Sequence, residues 1–385
     1  MAGIYVHIPF CVKKCAYCDF VSFEGSPHVR RYIDALKAEM KISALRLPYR
    51  SYDTVFVGGG TPSTLPLGAA EDIFCALKKH FDIAENAEIT MECNPGTVDA
   101  EKLREYRNAG VNRLSFGLQS ANDALLSAIG RIHTFGDFLK SYALAREAGF
   151  CNINVDVMYG LPGQTQRDLS QTFSAVLALK PEHISAYSLI LEEGTALYAR
   201  VKRGEAAVPD EDETYSQHRL AIETLQKEGY ERYEISNYAR RDGAEEKSSY
   251  RCKHNLNYWN NGEYLGLGLN AHSAMRLTGW TRWSNAESLE SYLSRVESGE
   301  LPAGEKQVIG RGEEMFESVM LGLRKTDGLS LSTFFERFGV DFASRYANAV
   351  EKLSEMGWIE MNPGFARLNA RGLDVQNEAL LLFME

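Results

Sequence analysis

From residue 4 to about residue 190 the chain alternates short β-rich runs with longer stretches of helical spacing. This alternation limits the fold more than any other feature. The runs are "IYVHI" (4–8), "TVFVG" (54–58), "EITME" (88–92), "RLSFG" (113–117), "INVDVMYG" (153–160) and "HISAYSLI" (183–190). Between them, residues 28–46, 69–81, 99–110, 134–150 and 165–179 repeat apolar side chains three and four apart. A strand that returns to its sheet through a helix pairs in parallel with its predecessor, so the pattern predicts an α/β fold around a parallel sheet. Six units are too few for a closed eight-stranded barrel and predict a partial (β/α)6 barrel. Asn86, Asp99 and Asp168 near segment starts, and Gly110 and Gly149 after helical runs, read as caps. Such a sheet carries its chemistry on the loops that leave the C-terminal strand ends.

The rest of the chain reads differently. Residues 210–228 form an amphipathic helix with an acidic first turn, which the helix dipole favours. Residues 241–304 are aromatic and read as a loop-rich connecting region. Residues 305–385 give helices with a short hairpin, "WIEMNPGFARL", a winged-helix-like arrangement. The expected division is therefore 1–240, 241–304 and 305–385. The last part carries 9 Lys/Arg against 13 Asp/Glu, and the whole chain has a net charge of −10. Both balances exclude a nucleic-acid backbone as the main partner, and no polybasic patch addresses anionic lipid. No run of 18 apolar residues is present and no basic, apolar leader opens the chain, so the expectation is a cytoplasmic protein without an integral membrane segment.

Seven cysteines are present, and three of them, Cys11, Cys15 and Cys18, fall in "FCVKKCAYCDF". An odd count bunched at one end fits a disulfide framework poorly, whereas bunched thiols in a reducing compartment are metal ligands. Cys75 and Cys151 read as small core residues. Structural zinc takes four closed ligands, usually as separated pairs, so a zinc knuckle would need His7 or Cys93 to complete it. Three thiolates on one tight loop suit three irons of a [4Fe–4S] cube, and leave the fourth iron open to a small molecule.

Further polar residues sit at successive strand ends: "GGGTPS" (58–63), Glu92 in "MECNPG", Gln119 in "FGLQS", Arg131 in "IGRIH" and Asp156 in "NVDVMYG". The glycines permit close backbone approach and offer N–H groups to a ligand. An acid suits an ammonium or ribose hydroxyls, and an arginine suits a carboxylate.

The cysteine loop, with Tyr17 before its last cysteine, resembles the signature of the radical S-adenosylmethionine (SAM) superfamily. In that superfamily SAM chelates the open iron and is cleaved to methionine and a 5′-deoxyadenosyl radical. "YVHIPFC", "GGGTPS", "ECNPGT", "GLQS", "GRIH" and "YGLPGQT" together resemble the oxygen-independent coproporphyrinogen III oxidase family over nearly the whole chain. The resemblance implies Tyr5, Tyr17, Gly59, Gly60, Thr61, Glu92, Gln119, Arg131 and Asp156 as SAM-binding positions. Two features depart from the decarboxylases of that family. Phe20 stands where they carry a fourth cysteine, and Tyr5 lies almost at the terminus where they have an extension. "CKHNLNYW" (252–259) is instead similar to the H-N-x-x-Y-W signature of relatives that act as haem chaperones. The resemblance thus implies a radical SAM haem chaperone that passes haem to acceptor proteins, with any membrane association only peripheral through them. The alternative is radical decarboxylation of coproporphyrinogen III to protoporphyrinogen IX.

For haem, Cys252 and His254 are candidate axial ligands, and Tyr258 and Trp259 offer flat area to a porphyrin. His272 in "GLNAHS" is a further candidate. A structural role is the competing reading, with His254 a hydrogen-bonded buried residue. "GLGLNA" (266–271) matches a dinucleotide fingerprint by letters only and reads as a turn.

Overall fold

The six β-rich runs become six neighbouring strands because each offers both faces to apolar partners, as a covered parallel sheet requires. The computed structural model describes residues 1–25, 28–243 and 247–384. In it the strands are β1 (Ala2–Ile8), β2 (Ser51–Gly59), β3 (Asp82–Cys93), β4 (Arg113–Gln119), β5 (Ile153–Tyr159) and β6 (His183–Ser188). They pair in chain order and in parallel, and further strands continue the sheet on both sides without closing it. Helices Val29–Arg46, Ala69–His80, Ala100–Ala109, Phe135–Glu147 and Gln166–Ala178 cover the outside. Their inward faces join the strands in one apolar core that includes Leu36, Leu77, Leu103, Phe138 and Phe173.

Capping follows the sequence in most places. Asp99 accepts from the N–H groups of Glu101 and Lys102, and Gly110 closes the same helix at φ 104°. Asp168 is not itself the cap: Thr165 is, and Asp168 answers it from the third helical position in a capping box. Asn86 caps nothing, because it lies inside β3.

The largest departure lies in residues 241–304. Strands Glu263–Leu267, His272–Arg276 and Trp280–Ser284 continue the same sheet beyond β1, where a loop-rich connector was expected. Glu263–Leu267 pairs in parallel with β1, matching Tyr5 to Gly266. These strands escaped detection because each is only five residues long, too short for a period of two to stand out. "GLGLNA" is thus half strand and half turn. Gly268 turns at φ 98°, where a Cβ would lie 2.5 Å from the Tyr32 hydroxyl and 2.7 Å from the His7 carbonyl.

Past residue 305 a second apolar core forms around Val319, Phe334, Phe342, Leu353 and Phe383. The expected hairpin is present as Ile359–Met361 and Phe365–Leu368, joined by Leu329–Ser330 into a three-stranded sheet. Cys75 and Cys151 are solvent-exposed, not core residues: one sits on the outer face of its helix and the other follows Phe150 in a loop.

Candidate functional site

The C-terminal ends of β1 to β6 open onto a cavity of about 500 Å³. Cys11, Cys15, Tyr17, Cys18, Gly59, Gly60, Thr61, Glu92, Gln119, Arg131 and Asp156 all line it. The fold therefore brings together residues scattered over 146 positions of sequence, from Cys11 at one extreme to Asp156 near the other.

The cysteine loop is pinned by its backbone. Ala16 N–H donates to Ile129 O at 3.0 Å, and Ala16 O accepts from Leu197 N–H at 2.7 Å. All three thiols are free and half-buried. Thr61 Oγ1 donates to Cys11 Sγ at 3.4 Å, and Arg131 Nη1 approaches Cys15 Sγ at 3.6 Å. Among the described residues no three His, Cys, Asp or Glu side chains converge on a single ion. The zinc knuckle is not formed. His7 Nε2 donates to Val21 O at 2.9 Å, leaving Nδ1 to accept from the Tyr5 hydroxyl at 3.0 Å, while Cys93 is buried beside Met91 O.

The glycine triplet works by close packing more than by offering N–H groups. A Cβ on Gly58 would lie 2.7 Å from Glu92 Oε2, and one on Gly59, at φ 111°, would lie 2.5 Å from the His7 ring. The N–H groups expected to be available are used internally: Gly59 N–H donates to Glu92 Oε2 at 3.1 Å, Gly60 N–H to Ile8 O at 2.8 Å and Thr61 N–H to Phe10 O at 2.8 Å.

The two acids share the cavity floor. Burial pushes Glu92 up to about 8, and the neighbouring Asp156 carboxylate adds to the rise. Burial also raises Asp156, opposed by hydrogen bonds from Asn154 and Ser185. Neither has a salt-bridge partner among the described residues, although the charges of Arg113 and Arg131 act on Asp156 from nearby. Gln119 adopts φ 71°, a left-handed conformation costly for a non-glycine residue, at a register break in β4. The strained strand end carries its side chain to the cavity, where Oε1 accepts from the Tyr187 hydroxyl at 3.1 Å.

Arg131 departs from expectation. Its guanidinium is spent on Cys15 Sγ, on Asn94 Oδ1 at 2.9 Å and on the Gly117 carbonyl, and only Nε is left buried without a partner. It braces the cysteine loop against β4 in place of standing open for a carboxylate. Asn94, Tyr187 and Glu234 line the cavity and were not singled out from the sequence. Asn94 carried a signal, since it follows Glu92 at the end of β3; Tyr187 and Glu234 carried none. Tyr5 does not line the cavity. Its ring stacks on Phe56 at 6.4 Å, and its hydroxyl holds His7.

The residues expected at haem are not brought together. Only Trp259 reaches the cavity. His254 is 2% exposed, with Nδ1 on Thr54 Oγ1 at 2.8 Å, Nε2 on the Tyr258 hydroxyl at 3.1 Å and its ring stacked on Phe56. Burial lowers it to about 3. Cys252 is fully buried, with Sγ on Glu88 Oε1 at 3.3 Å, and burial pushes its thiol up to about 12. Glu88 also accepts from the N–H groups of Lys253 and His254. In this arrangement the Cys252 thiol and both His254 ring nitrogens are bonded inside the protein, and neither residue lines the cluster cavity. His272 is exposed, on a strand two places from β1 in the sheet, and does not line the cavity.

The parallel strand order, the three-cysteine loop and the cavity at the strand ends define a radical SAM protein. The profile of the Radical SAM superfamily matches residues 5–176, and that of the HemN C-terminal domain matches residues 311–375. Heme chaperone HemW of Bacillus subtilis is 34% identical over 386 aligned residues, covering 100% of this chain and 99% of its own. Heme chaperone HemW of Haemophilus influenzae is 33% identical, covering 99% and 97%. The chain belongs to the family of these radical SAM proteins, the HemW heme chaperones. The solved coproporphyrinogen III oxidase HemN from Escherichia coli shares the fold, with a TM-score of 0.83 at 22% identity over 99% of this chain and 89% of that one.

Radical SAM membership implies a [4Fe–4S] cluster and SAM. The donor set fits both: three free thiols and the acids Glu92 and Asp156 line the cavity, and one buried guanidinium N–H, Arg131 Nε, lacks an acceptor. Among the described residues no helix is long and apolar enough to cross a membrane.

Proposed function

We propose that this chain is a haem chaperone that binds haem and delivers it to acceptor proteins. The observation that carries the reading is Phe20. It lines the mouth of the cysteine cavity, 60% exposed, at the position where a decarboxylase of the family has a thiol. An exposed aromatic beside the cluster loop suits a flat apolar cargo. The chain-length similarity to named haem chaperones supports the same reading. Within it, Cys11, Cys15 and Cys18 would hold the cluster, Glu92 and Asp156 would receive the cationic and hydroxyl-bearing parts of SAM, and Arg131 would brace the loop. The cluster supplies an electron to bound SAM when both are present. In the domain division we propose, residues 1–309 act as one sheet-bearing unit, since Gln307–Val308 still pairs with Trp280–Ser284, and 310–385 act as a docking module.

Two measurements on anaerobically reconstituted protein test this. Titration with haem is expected to give a saturating Soret band at one haem per chain, and no Soret change would refute the reading. Incubation with SAM, a low-potential reductant and coproporphyrinogen III is expected to yield no decarboxylated porphyrin above a protein-free control.

A further inference from the structure

A second cavity, of about 300 Å³, lies where the helix Lys253–Trp259 meets the C-terminal region. Trp259 lines both this cavity and the cluster cavity, so one indole stands between them. Its polar wall is cationic: Lys325 and Arg337 line it, and among the described residues no Asp or Glu does. Arg337 donates from Nη1 to Asn261 O at 2.8 Å and from Nε to Glu314 Oε1 at 2.8 Å, but Nη2 is buried and has no partner. A buried guanidinium N–H without an acceptor is unfavourable and marks where an acceptor belongs. Lys325 Nζ donates to the neutral Asn260 Oδ1, while nearby Asp327 is taken by Lys247 at 2.9 Å and Arg251 at 2.7 Å. Burial lowers Lys325 to about 8, which leaves it charged at neutral pH. The remaining wall is aromatic, from Trp259, Phe334 and Phe338.

A lysine with no ion pair among the described residues, a guanidinium Nη2 with no acceptor and an aromatic wall together describe an anion that is also flat and apolar. A small inorganic anion would leave the rings unused. We infer that this cavity receives one propionate-bearing edge of haem, with the carboxylate on Lys325 and Arg337 Nη2 and the macrocycle against Trp259. The cavity is at the small end of ligand sites, so it takes an edge and not the whole ring. The inference rests on the haem-chaperone reading and gives the "HNLNYW" segment a role that its buried His254 does not supply. Trp259 and Asn257 of that segment line the site.

The test is Soret titration of cluster-loaded full-length protein with haem and with haem dimethyl ester, which lacks the free carboxylates. Lys325→Glu reverses the charge of one donor. Thr333→Glu places a competing carboxylate at an exposed position of the wall, in the first turn of a helix where an acid is tolerated. Each variant is expected to weaken haem about tenfold or more, as loss of a charge-assisted contact does. The ester is expected to bind the unmodified protein as weakly as haem binds Lys325→Glu, and to be indifferent to that substitution. An unchanged urea midpoint certifies that the variants are folded. Haem binding to both variants at the unmodified affinity, or ester binding as tight as haem, overturns the site alone. If the unmodified protein binds no haem, the chaperone reading falls, and this site with it.

Discussion

The loop Cys11–Cys18 and the segment Cys252–Trp259 contain the same residue types, a cysteine with tyrosine close by, yet one is open and the other closed. In the first, thiols stand half-exposed over a cavity, with weak donors at 3.4 and 3.6 Å. In the second, the thiol and both imidazole nitrogens are bonded to Glu88, Thr54 and Tyr258, and a single carboxylate grips the start of the helix. The difference teaches that residue chemistry marks a site only where hydrogen-bonding capacity is left over. Cys252 and His254 have spent theirs on holding the helix that carries Trp259 against the barrel.

Substitution at one region should therefore remove a cofactor, and at the other only stability. Cys15→Ala is expected to abolish the brown cluster absorbance after reconstitution while leaving the urea midpoint nearly unchanged; a full-strength cluster would break the comparison. His254→Ala leaves two hydroxyls unpaired and a ring-sized void beside Phe56, which predicts a loss of about 3 kcal/mol in urea unfolding. Haem titration of the same variant should be close to that of the unmodified protein, and a lost Soret response with unchanged stability would return His254 to the ligand set.

The smallest effect sharpens the open side. The folded Glu92 is raised to about 8 from an ordinary value near 4.5. Between those values the folded state holds more protons than the unfolded one, so this group's contribution favours folding below about pH 4.5 and is lost as pH rises through 8. A cationic ligand prefers the ionised acid and must expel that proton. SAM affinity is accordingly expected to rise between pH 6 and 8, by at most about tenfold per unit, and Glu92→Gln should flatten the dependence.

Much of the open side was legible in the sequence. Six strands, five crossover helices and the convergence of Glu92, Gln119 and Asp156 follow from periodicity and from the rule that parallel sheets work at their C-terminal ends. The role of Arg131 was not legible, because it depends on a partner across the fold, Gly117 O; for His254 the sequence offered both a ligand and a buried structural role, and the choice depends on Thr54. The strands at 263–284 were missed because strands of five residues borrow their regularity from a neighbour. Phe20 was visible as a letter, but its exposure at the cavity mouth was not.

The placement of β1 has a consequence for the newborn chain. Its one edge pairs with β2 within the first sixty residues, but its other edge must wait for Glu263–Leu267, as far away as Ala2 is from Glu263. At roughly 5–20 residues per second, a ribosome takes about 13–50 s to supply that partner. Throughout that interval the strand that leads into the cysteine loop keeps an unpaired edge, an opening for wrong association.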